Sequence, residues 1–419
     1  MTTSENNGNR VVVTGLGVVC SLGRGAEYVF DRLYNGFSGI RVQDRRIRGT
    51  MESWALALLP RRLNMDGFFS GWRHSPGALA DRLLLMGLHD ALEHAGLWPL
   101  LHESAGRTGL VTVSGSGKVI ALESGLKDIS GRAGDRGGMD SSFGELFESV
   151  ADWGAWRYGI SGPRLNLVSA CSSGIVALAR AYEMIRHGRA DIVAAGASDV
   201  VSDLCFQGFR SLRAMDPKPC KPFDRDRDGM NLGDGCGVLV LEEYGHALKR
   251  GAGLLAEISG YGITQDARHI ASPDPTGRDW AEPIRQAIDM AKIRPGELSY
   301  INAHGTGTRL NDKAETLAIK HALGKDAYDV PVSSFKAALG HCQFAAGAIE
   351  AAMTVMAIKE NRVPPILGLN SPDPDCDLDY VKGTGIERHL ETSLSLSFGF
   401  GGTSTAMLFS SVRAGRPGS

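Results

Sequence analysis

The sequence predicts a layered α/β fold assembled from two related halves, and three observations support this prediction. Apolar runs with strand character alternate with amphipathic helical stretches along the 419 residues. The 54 glycines cluster next to the apolar runs, where they suit tight strand-to-helix turns. Four patterns from the first part of the chain recur in the same order in the second part.

The predicted elements alternate in the way that is typical of α/β proteins with buried strands. With 43% hydrophobic and 22% charged residues, the chain is long enough for an extensive core. Amphipathic helices are expected at 82–94 and 175–186. The strand-like runs lie at 10–13, 109–113, 164–168, 191–195 and 237–241.

An internal repeat divides the chain near 249–256. Its first pair reads as an apolar strand that ends in Gly-x-Gly. The matched segments are 13–18 with 258–263, 109–113 with 298–302, 165–185 with 331–353, and 237–242 with 403–408. Duplication of one ancestral unit explains all four pairs, and chance similarity among glycine-rich α/β segments is the alternative. We therefore predict an N-terminal half over 1–252, a C-terminal half over 253–412 and a polar tail over 413–419.

Charge and cysteine content argue against several classes of protein. A formal net charge of -2 gives no overall attraction to nucleic acid or to an acidic membrane. The seven cysteines are scattered, without the spacing of a zinc site or a disulfide framework. The first ten residues are polar, and no apolar run of about 18 residues follows. We expect a cytoplasmic protein with no metal, no membrane span and no nucleic-acid partner.

One cysteine stands at a predicted strand-to-helix turn. Cys171 lies in Ser-Ala-Cys-Ser-Ser-Gly, between the apolar run 165–168 and the helix predicted at 175–186. The N–H groups of a first helical turn and the positive end of the helix dipole both favour a thiolate. The backbone N–H of Cys171 can also face an oxyanion. We interpret Cys171 as a nucleophile rather than as an inert buried cysteine.

Two further turns carry imidazole and ammonium groups. His304 follows a predicted strand in Asn-Ala-His-Gly-Thr-Gly-Thr, where glycines allow a ligand to approach the backbone. Lys336 and His341 are five positions apart at the head of the helix that corresponds to the one after Cys171. A single histidine or lysine is more often structural or solvated. Because these turns occupy duplicated positions, we predict that the four side chains form one site.

These motifs resemble the signature of the elongating, synthase II-like β-ketoacyl-acyl carrier protein synthases of the thiolase superfamily. The resemblance spans nearly the whole chain. It implies the thiolase fold, a five-layered αβαβα domain built from two duplicated βαβαβαββ halves and normally dimeric. The matching segments are Ala-Cys-Ser-Ser-Gly at Cys171, the motif at His304, Lys-x-x-x-Gly-His from Lys336 to His341, and Phe-Gly-Phe-Gly-Gly-Thr at 398–403.

The same resemblance implies a decarboxylative Claisen condensation in fatty-acid or type II polyketide biosynthesis. Cys171 would take the acyl chain from an acyl carrier protein as a thioester. His304 and His341 would stabilise the enolate formed as malonyl thioester loses carbon dioxide, and Lys336 would order His341. The backbone N–H groups of Cys171 and Phe400 would form the oxyanion hole. Ping-pong kinetics follow, and no cofactor is implied beyond the phosphopantetheine arm of the carrier protein.

The resemblance also assigns roles to residues around the site. Thr306 and Thr308 match threonines that hold the phosphopantetheine arm, and Phe398 is expected to bind substrate beside them. Phe400 matches the gate at the mouth of the acyl pocket. Arg213 falls where the family places a basic contact for the acidic carrier protein, although a plain surface arginine is an equal alternative. Such a contact makes binding sensitive to salt.

The chain departs from the family pattern at three positions. Gly307 and Ala271 stand where serine and threonine are common, and Ser404 replaces the usual asparagine. We therefore expect the phosphopantetheine arm to be bound differently. The sequence leaves open the acyl substrate, the pathway, and whether the dimer is formed by two copies or with a related synthase-like chain.

Three other interpretations fit the sequence less well. A thiolase would carry a second catalytic cysteine within 398–403, where this chain has none. A catalytically silent subunit that sets chain length would lack the nucleophile, whereas this chain has Cys171. The chain could still be the active subunit of such a pair, with its pocket completed by the silent partner. Gly15-x-Gly17 after a strand imitates a dinucleotide fingerprint, but Cys20 stands where that motif has glycine or alanine.

Overall fold

A computed structural model describes residues 9–47, 49–72, 77–98, 104–115, 119–120, 122–123 and 149–413. The predicted tail therefore lies outside the described residues from position 414 onward. The strands are β1 (Val11–Cys20), β2 (Gly23–Arg24), β3 (Arg41–Ile47), β4 (Thr50–Leu56), β5 (Thr108–Ser114), β6 (Arg164–Asn166), β7 (Ile192–Asp199), β8 (Gly235–Glu243), β9 (Ala256–Gln265), β10 (Tyr300–Asn302), β11 (Val332–Ser333), β12 (Arg362–Val363), β13 (Ile386–Glu387), β14 (Thr392–Phe398) and β15 (Thr403–Ser410). The helices are α1 (Ala26–Tyr34), α2 (Met65–Phe69), α3 (Leu79–His94), α4 (Val150–Tyr158), α5 (Ser173–Arg186), α6 (Asp203–Ser211), α7 (Tyr244–Lys249), α8 (Arg278–Ala291), α9 (Arg309–Leu323), α10 (Lys336–Leu339) and α11 (Ala346–Glu360).

The strand order repeats itself position for position. One half of the sheet runs β6-β5-β7-β8-β1, and the other runs β11-β10-β14-β15-β9. In each half the first two neighbouring pairs are parallel and the last two antiparallel. β1 and β9 join the halves through two residue pairs, Val12 with Glu257 and Val13 with Ala256. The duplicated α/β architecture predicted from the sequence is thus confirmed.

The two halves of this continuous sheet form two layers, called here the first and the second sheet, and helices on both faces of each give the five layers. α3 and α4 pack on the outer face of the first sheet, and α8 and α9 pack on that of the second. α5 and α11 lie between the sheets. α11 is buried on every side over 346–358, as expected for a helix without a polar face. A Cβ on Gly174 would lie 2.2 Å from the backbone nitrogen of Ala348, so the central helices touch backbone to backbone.

The Gly-x-Gly pairs lie inside strands rather than at strand ends, which corrects the prediction. β1 continues through Gly15 and Gly17 to Cys20 because α3 packs directly on it. Gly260 and Gly262 stand in the same relation to α8. A Cβ at any of the four positions would lie 1.9 to 2.2 Å from a carbonyl oxygen of the facing helix. These glycines therefore serve helix-to-strand packing and do not form a dinucleotide loop.

Two predicted element ends also shift. The strand predicted over 164–168 ends at Asn166. The N–H of Leu167 still donates to the carbonyl oxygen of Thr112 in β5, and the chain then forms the turn before Cys171. The helix predicted from 82 begins at Leu79, where the apolar periodicity is weaker. None of the helices among the described residues has both the length and the apolar composition needed to cross a bilayer.

Candidate active site

One cavity of about 310 Å³ gathers residues from both halves of the chain. Among its lining residues are eight of the nine predicted site residues: Cys171, Arg213, His304, Thr306, Thr308, His341, Phe398 and Phe400. The ninth, Lys336, is 1% exposed and lies behind the lining. Side chains more than a hundred residues apart in sequence therefore meet in one place, as the motifs predict.

The turn that carries Cys171 is held by the opposite half of the chain. Ala170 adopts a positive φ of 45°, a strained conformation for a residue with a side chain. The hydroxyl of Ser172 donates to the carbonyl oxygens of Ser397, at 3.0 Å, and Thr403, at 2.8 Å. The hydroxyl of Ser397 donates to the carbonyl oxygen of Cys171 at 2.9 Å. β14 and β15 thus fix the position of the thiol.

The charge state of Cys171 differs from the sequence-based expectation. Burial raises the pKa of the thiol to about 11, although the Lys336 charge and the N–H of Phe400 both oppose this shift. The thiol is 8% exposed and precedes the first helical residue, Ser173, by two positions. Desolvation thus outweighs the helix terminus. In the free protein at neutral pH, Cys171 is a thiol rather than a thiolate.

Alkylation of Cys171 should therefore depend steeply on pH. Because only the thiolate reacts, we expect the rate to rise about tenfold per pH unit between about pH 7 and about pH 9.5. Pulses of iodoacetamide followed by peptide mass spectrometry would measure the rate at each cysteine. Cys205, half-buried and outside the cavity lining, is the internal control. A plateau below about pH 8 would show that the thiolate is stabilised after all.

The two imidazoles face each other edge to face. Their ring centroids are 5.3 Å apart at an interplanar angle of 85°. Burial lowers the pKa of both His304 and His341 well below the usual range, and the Lys336 charge adds to the effect. The N–H of Gln343 donates to Nδ1 of His341 at 3.0 Å, so the proton of this neutral ring is on Nε2. Nδ1 of His304 is buried without a partner among the described residues.

Lys336 pairs with a glutamate that the sequence reading missed. Its Nζ donates to Oε1 of Glu350 at 2.5 Å, and both side chains are buried. Burial raises the pKa of Glu350 to about 6, against the effect of Lys336. The lysine acts on the imidazoles through its charge, while its hydrogen bond is to Glu350 rather than His341. The available signal was an acidic residue inside the otherwise apolar helix α11.

Glu350→Ala should destabilise the protein strongly. The change leaves the buried ammonium of Lys336 without its carboxylate, and breaking such a pair costs about 3–5 kcal/mol. Urea denaturation would measure the free energy of unfolding. Glu360→Ala, at the exposed end of the same helix, is the control and should change it by less than about 0.5 kcal/mol. An equally small effect for Glu350→Ala would mean that the ion pair contributes no stability.

Two acidic residues of α9 hold the loop that carries His304. Glu315 accepts the N–H groups of His304, at 2.6 Å, and Gly305, at 2.8 Å, and burial raises its pKa to about 8. Asp312 accepts the N–H of Gly307 at 3.1 Å. Asp312 and Glu315 follow the His304 motif and are three residues apart, so they lie on the same side of α9. The sequence analysis did not use this signal. Their bonds fix the loop backbone and hence the imidazole.

The departure at position 307 has a structural reason. Gly307 adopts a φ of +82°, in the left-handed region that favours glycine. A Cβ there would lie 2.9 Å from the carbonyl oxygen of Gly229. Ala271 lines the cavity, and Ser404 is buried in β15 with a hydroxyl that has no partner among the described residues. Nothing in the structure explains the serine at 404.

The mouth of the cavity combines polar and aromatic groups. The hydroxyls of Thr306 and Thr308 are 2.9 Å apart. Phe398 is 4% exposed and stacks on Trp280, with ring centroids 4.1 Å apart, whereas Phe400 is 39% exposed. Arg213 is exposed, with a positive φ of 56°. Phe398 therefore forms part of the wall, and Phe400 and Arg213 are accessible from solvent.

Two family models match the chain. The model described as "Beta-ketoacyl synthase, N-terminal domain" matches residues 8–247, and the "Beta-ketoacyl synthase, C-terminal domain" matches residues 255–370. The chain is 36% identical over 414 residues to the tetracenomycin polyketide synthase ketoacyl synthase alpha subunit of Streptomyces glaucescens, covering 95% of this chain and 96% of that protein. It is 35% identical over 419 residues to 3-oxoacyl-[acyl-carrier-protein] synthase 2 of Synechocystis, covering 96% of this chain and 97% of that protein.

Solved structures agree with these sequence relatives. A type II polyketide synthase acyl carrier protein in complex with its ketosynthase bound to the hexaketide gives a TM-score of 0.88 at 32% identity, covering 97% of this chain and 100% of that one. The ishigamide ketosynthase/chain length factor gives a TM-score of 0.88 at 30% identity, again covering 97% of this chain and 100% of that one.

Proposed function

The chain belongs to the β-ketoacyl synthase family of condensing acyltransferases, and we propose that its cavity joins an acyl group on Cys171 to the malonyl group of a carrier-bound thioester. The observation that carries this assignment is the convergence of Cys171, His304 and His341 on one cavity, with Lys336 behind them. The reaction is a decarboxylative condensation of fatty-acid or polyketide biosynthesis, and it yields a β-ketoacyl thioester.

The first proposed step is acyl transfer to Cys171. The sulfur attacks the acyl thioester carbon, a new thioester bond forms, and the thiol of the carrier arm leaves with the proton of Cys171. The high pKa of Cys171 means that this proton leaves during the step rather than before it. The N–H groups of Cys171 and Phe400 would stabilise the oxyanion, and this role is supported by their hydrogen bonding to the sulfur, which acts to lower the pKa of the thiol.

The second proposed step is loss of carbon dioxide from the malonyl thioester. The bond to the carboxylate carbon breaks, and its electron pair forms an enolate. The neutral rings of His304 and His341 donate N–H groups to the thioester oxygen, where the negative charge collects. Neutral imidazoles suit this task because a donor that stays neutral is not drawn into an ion pair with the malonyl carboxylate. The hydrogen bond from Gln343 supports this role by leaving the proton of His341 on Nε2.

In the third proposed step the enolate carbon attacks the acyl thioester on Cys171. A carbon–carbon bond forms, the bond from the acyl carbon to the Cys171 sulfur breaks, and the sulfur leaves as a thiolate that takes up a proton from solvent. The thiol, the two imidazoles and backbone N–H groups carry all three steps. The proposal needs no resident cofactor, since the phosphopantetheine arm arrives with the substrate and would pass Thr306 and Thr308.

Two kinds of partner belong to the proposal. Arg213, exposed at the cavity mouth, suits the acidic carrier protein. The edge strand β6 pairs only with β5 among the described residues. Leu165 within it is 36% exposed, and Val168 just after it is 58% exposed. An open, partly apolar edge suits pairing with a second copy of the chain or with a related synthase-like chain. A reducing, cytoplasmic location suits the seven free cysteines.

A panel of carrier proteins bearing different acyl chains tests the proposal and names the substrate. The mass added to Cys171 would be read by peptide mass spectrometry, and condensation would be followed with malonyl carrier protein. Absence of any acyl adduct on Cys171 across the panel would contradict it.

Arg213→Gln should raise the KM for the carrier-bound substrate severalfold, leave kcat unchanged and weaken the dependence of KM on salt. The reason is that a single exposed contact to an acidic partner acts on encounter rather than on chemistry. Steady-state kinetics at several ionic strengths would measure this. Lys249→Gln, exposed and outside the cavity lining, is the matched control. Identical kinetics for the two variants would show that Arg213 is a plain surface arginine.

A further inference from the structure

A second cavity, within the N-terminal half, is lined by four arginines. It encloses about 810 Å³ and includes Arg32, Arg41, Arg61 and Arg62. We call it the arginine cleft. No aspartate or glutamate is among its described lining residues; the others are Ser21, Leu22, Ser38, Gly39, Gln43, Leu58, Leu59 and Pro60. It shares no lining residue with the candidate active site.

The four guanidinium groups have no acidic partner within the described residues. Arg41 donates only to backbone carbonyl oxygens, at 2.7 and 2.8 Å. Arg62 donates to a tyrosine hydroxyl at 3.3 Å, and Arg32 lies 4.1 Å above the ring of Phe37. Four positive charges around one concave surface repel each other, and an anion in the cleft would remove that repulsion.

Two polar atoms at the cleft are buried without a hydrogen-bond partner among the described residues. They are Oγ of Ser21 and Nε of Arg32. Buried polar groups are nearly always paired, so two unpaired donors beside one cavity are exceptions to the usual pattern. A Cβ on Gly39 would lie 2.2 Å from Oγ of Ser21, so only glycine fits against this hydroxyl. Both unpaired groups are donors that neighbouring atoms cover in this structure, so it is the arginine charges that favour an anion.

We propose that the arginine cleft binds an anion of the diphosphate class. The planar guanidinium fork matches phosphate oxygens in bidentate geometry, and several linked phosphates can satisfy several arginines at once. The concave shape favours a compact ligand over the flat face of an acidic protein, because only a compact group fits among all four arginines. Free diphosphate and the phosphoanhydride of a nucleotide or coenzyme share this chemistry.

Isothermal titration calorimetry of the full chain with pyrophosphate and with ADP, at equal ionic strength, tests the proposal. We expect saturable one-to-one binding, weakened at least about tenfold by the double change Arg61→Gln and Arg62→Gln. Both side chains are exposed, so the unfolding temperature without ligand should stay unchanged. Tighter binding of ADP would indicate a nucleotide-like ligand, and equal or tighter binding of pyrophosphate would indicate the free anion.

The control is the charge-matched pair Lys249→Gln and Arg388→Gln, which is exposed and outside the cleft lining. It should bind pyrophosphate like the unchanged chain. Hydrogen exchange at 38–41 and 58–62 should slow when pyrophosphate is added. The proposal is overturned by no saturable binding, by equal weakening in the control pair, or by tighter binding of hexaglutamate than of pyrophosphate, which would indicate an acidic peptide instead.

Discussion

Cys171→Ala should abolish acyl loading and reduce condensation at least about 10⁴-fold, because the variant has no atom at that position to hold the acyl group. The thiol is the only cysteine sulfur among the lining residues of the candidate active site. Its turn is held by hydrogen bonds from Ser172 and Ser397 that do not involve the sulfur, so the fold should survive the change. Mass spectrometry of the chain after incubation with acyl carrier protein measures loading directly.

Cys205→Ala is the matched control, since Cys205 is half-buried on α6 and outside the cavity lining. It should load and condense like the unchanged chain. Loading that persisted in Cys171→Ala, or an adduct on another cysteine, would remove the covalent mechanism. Far-UV circular dichroism and the unfolding temperature would establish that the variant is folded.

The fold and the positions of the reactive side chains could be predicted from the sequence, because both are encoded locally. Each half repeats the same strand, turn and helix signals. Those signals place Cys171 and His341 at corresponding turns, and they place His304 at the turn after another repeated strand. The convergence of these turns on one cavity follows from the duplication itself.

The ionisation of the site could not be predicted in this way, because it depends on burial by distant segments. A helix terminus beside Cys171 indicated a thiolate, yet the residue is only 8% exposed in the folded chain, and this burial raises the pKa of the thiol. The partners Glu350 and Glu315 were missed for the same reason. Glu350 bonds the ammonium of Lys336, and Glu315 bonds the backbone N–H of His304, so each contacts a residue on a different structural element. Neither glutamate lies in a recognisable motif of its own.

The glycines illustrate a third limit of sequence reading. Gly-x-Gly after an apolar run fits a turn as well as it fits a strand under a closely packed helix. Only the position of α3 against Gly15 and Gly17, and of α8 against Gly260 and Gly262, distinguishes the two. Periodicity detects a buried strand but contains no information about which helix lies on it.

His304→Ala should leave acyl loading of Cys171 intact and lower condensation about 10²- to 10³-fold, the usual effect of losing one donor to a developing oxyanion. The ring lines the same cavity as Cys171. Its pKa lies well below the usual range because of burial, so the neutral ring is a weak base for the thiol and keeps an N–H that can donate. Release of carbon dioxide from malonyl carrier protein isolates the affected step. The backbone hydrogen bonds to Glu315 remain in the variant, so the loop should keep its place.

His389→Ala, on the exposed surface, is the control and should match the unchanged chain. His341→Ala should behave like His304→Ala if both rings hold the same oxygen, and the double variant should then lose less than the product of the two single effects. Equal loss of loading and of decarboxylation in His304→Ala would contradict this assignment. It would mean that the imidazole activates the thiol, and that the neutral ring serves as a base for Cys171 rather than as a donor to the enolate.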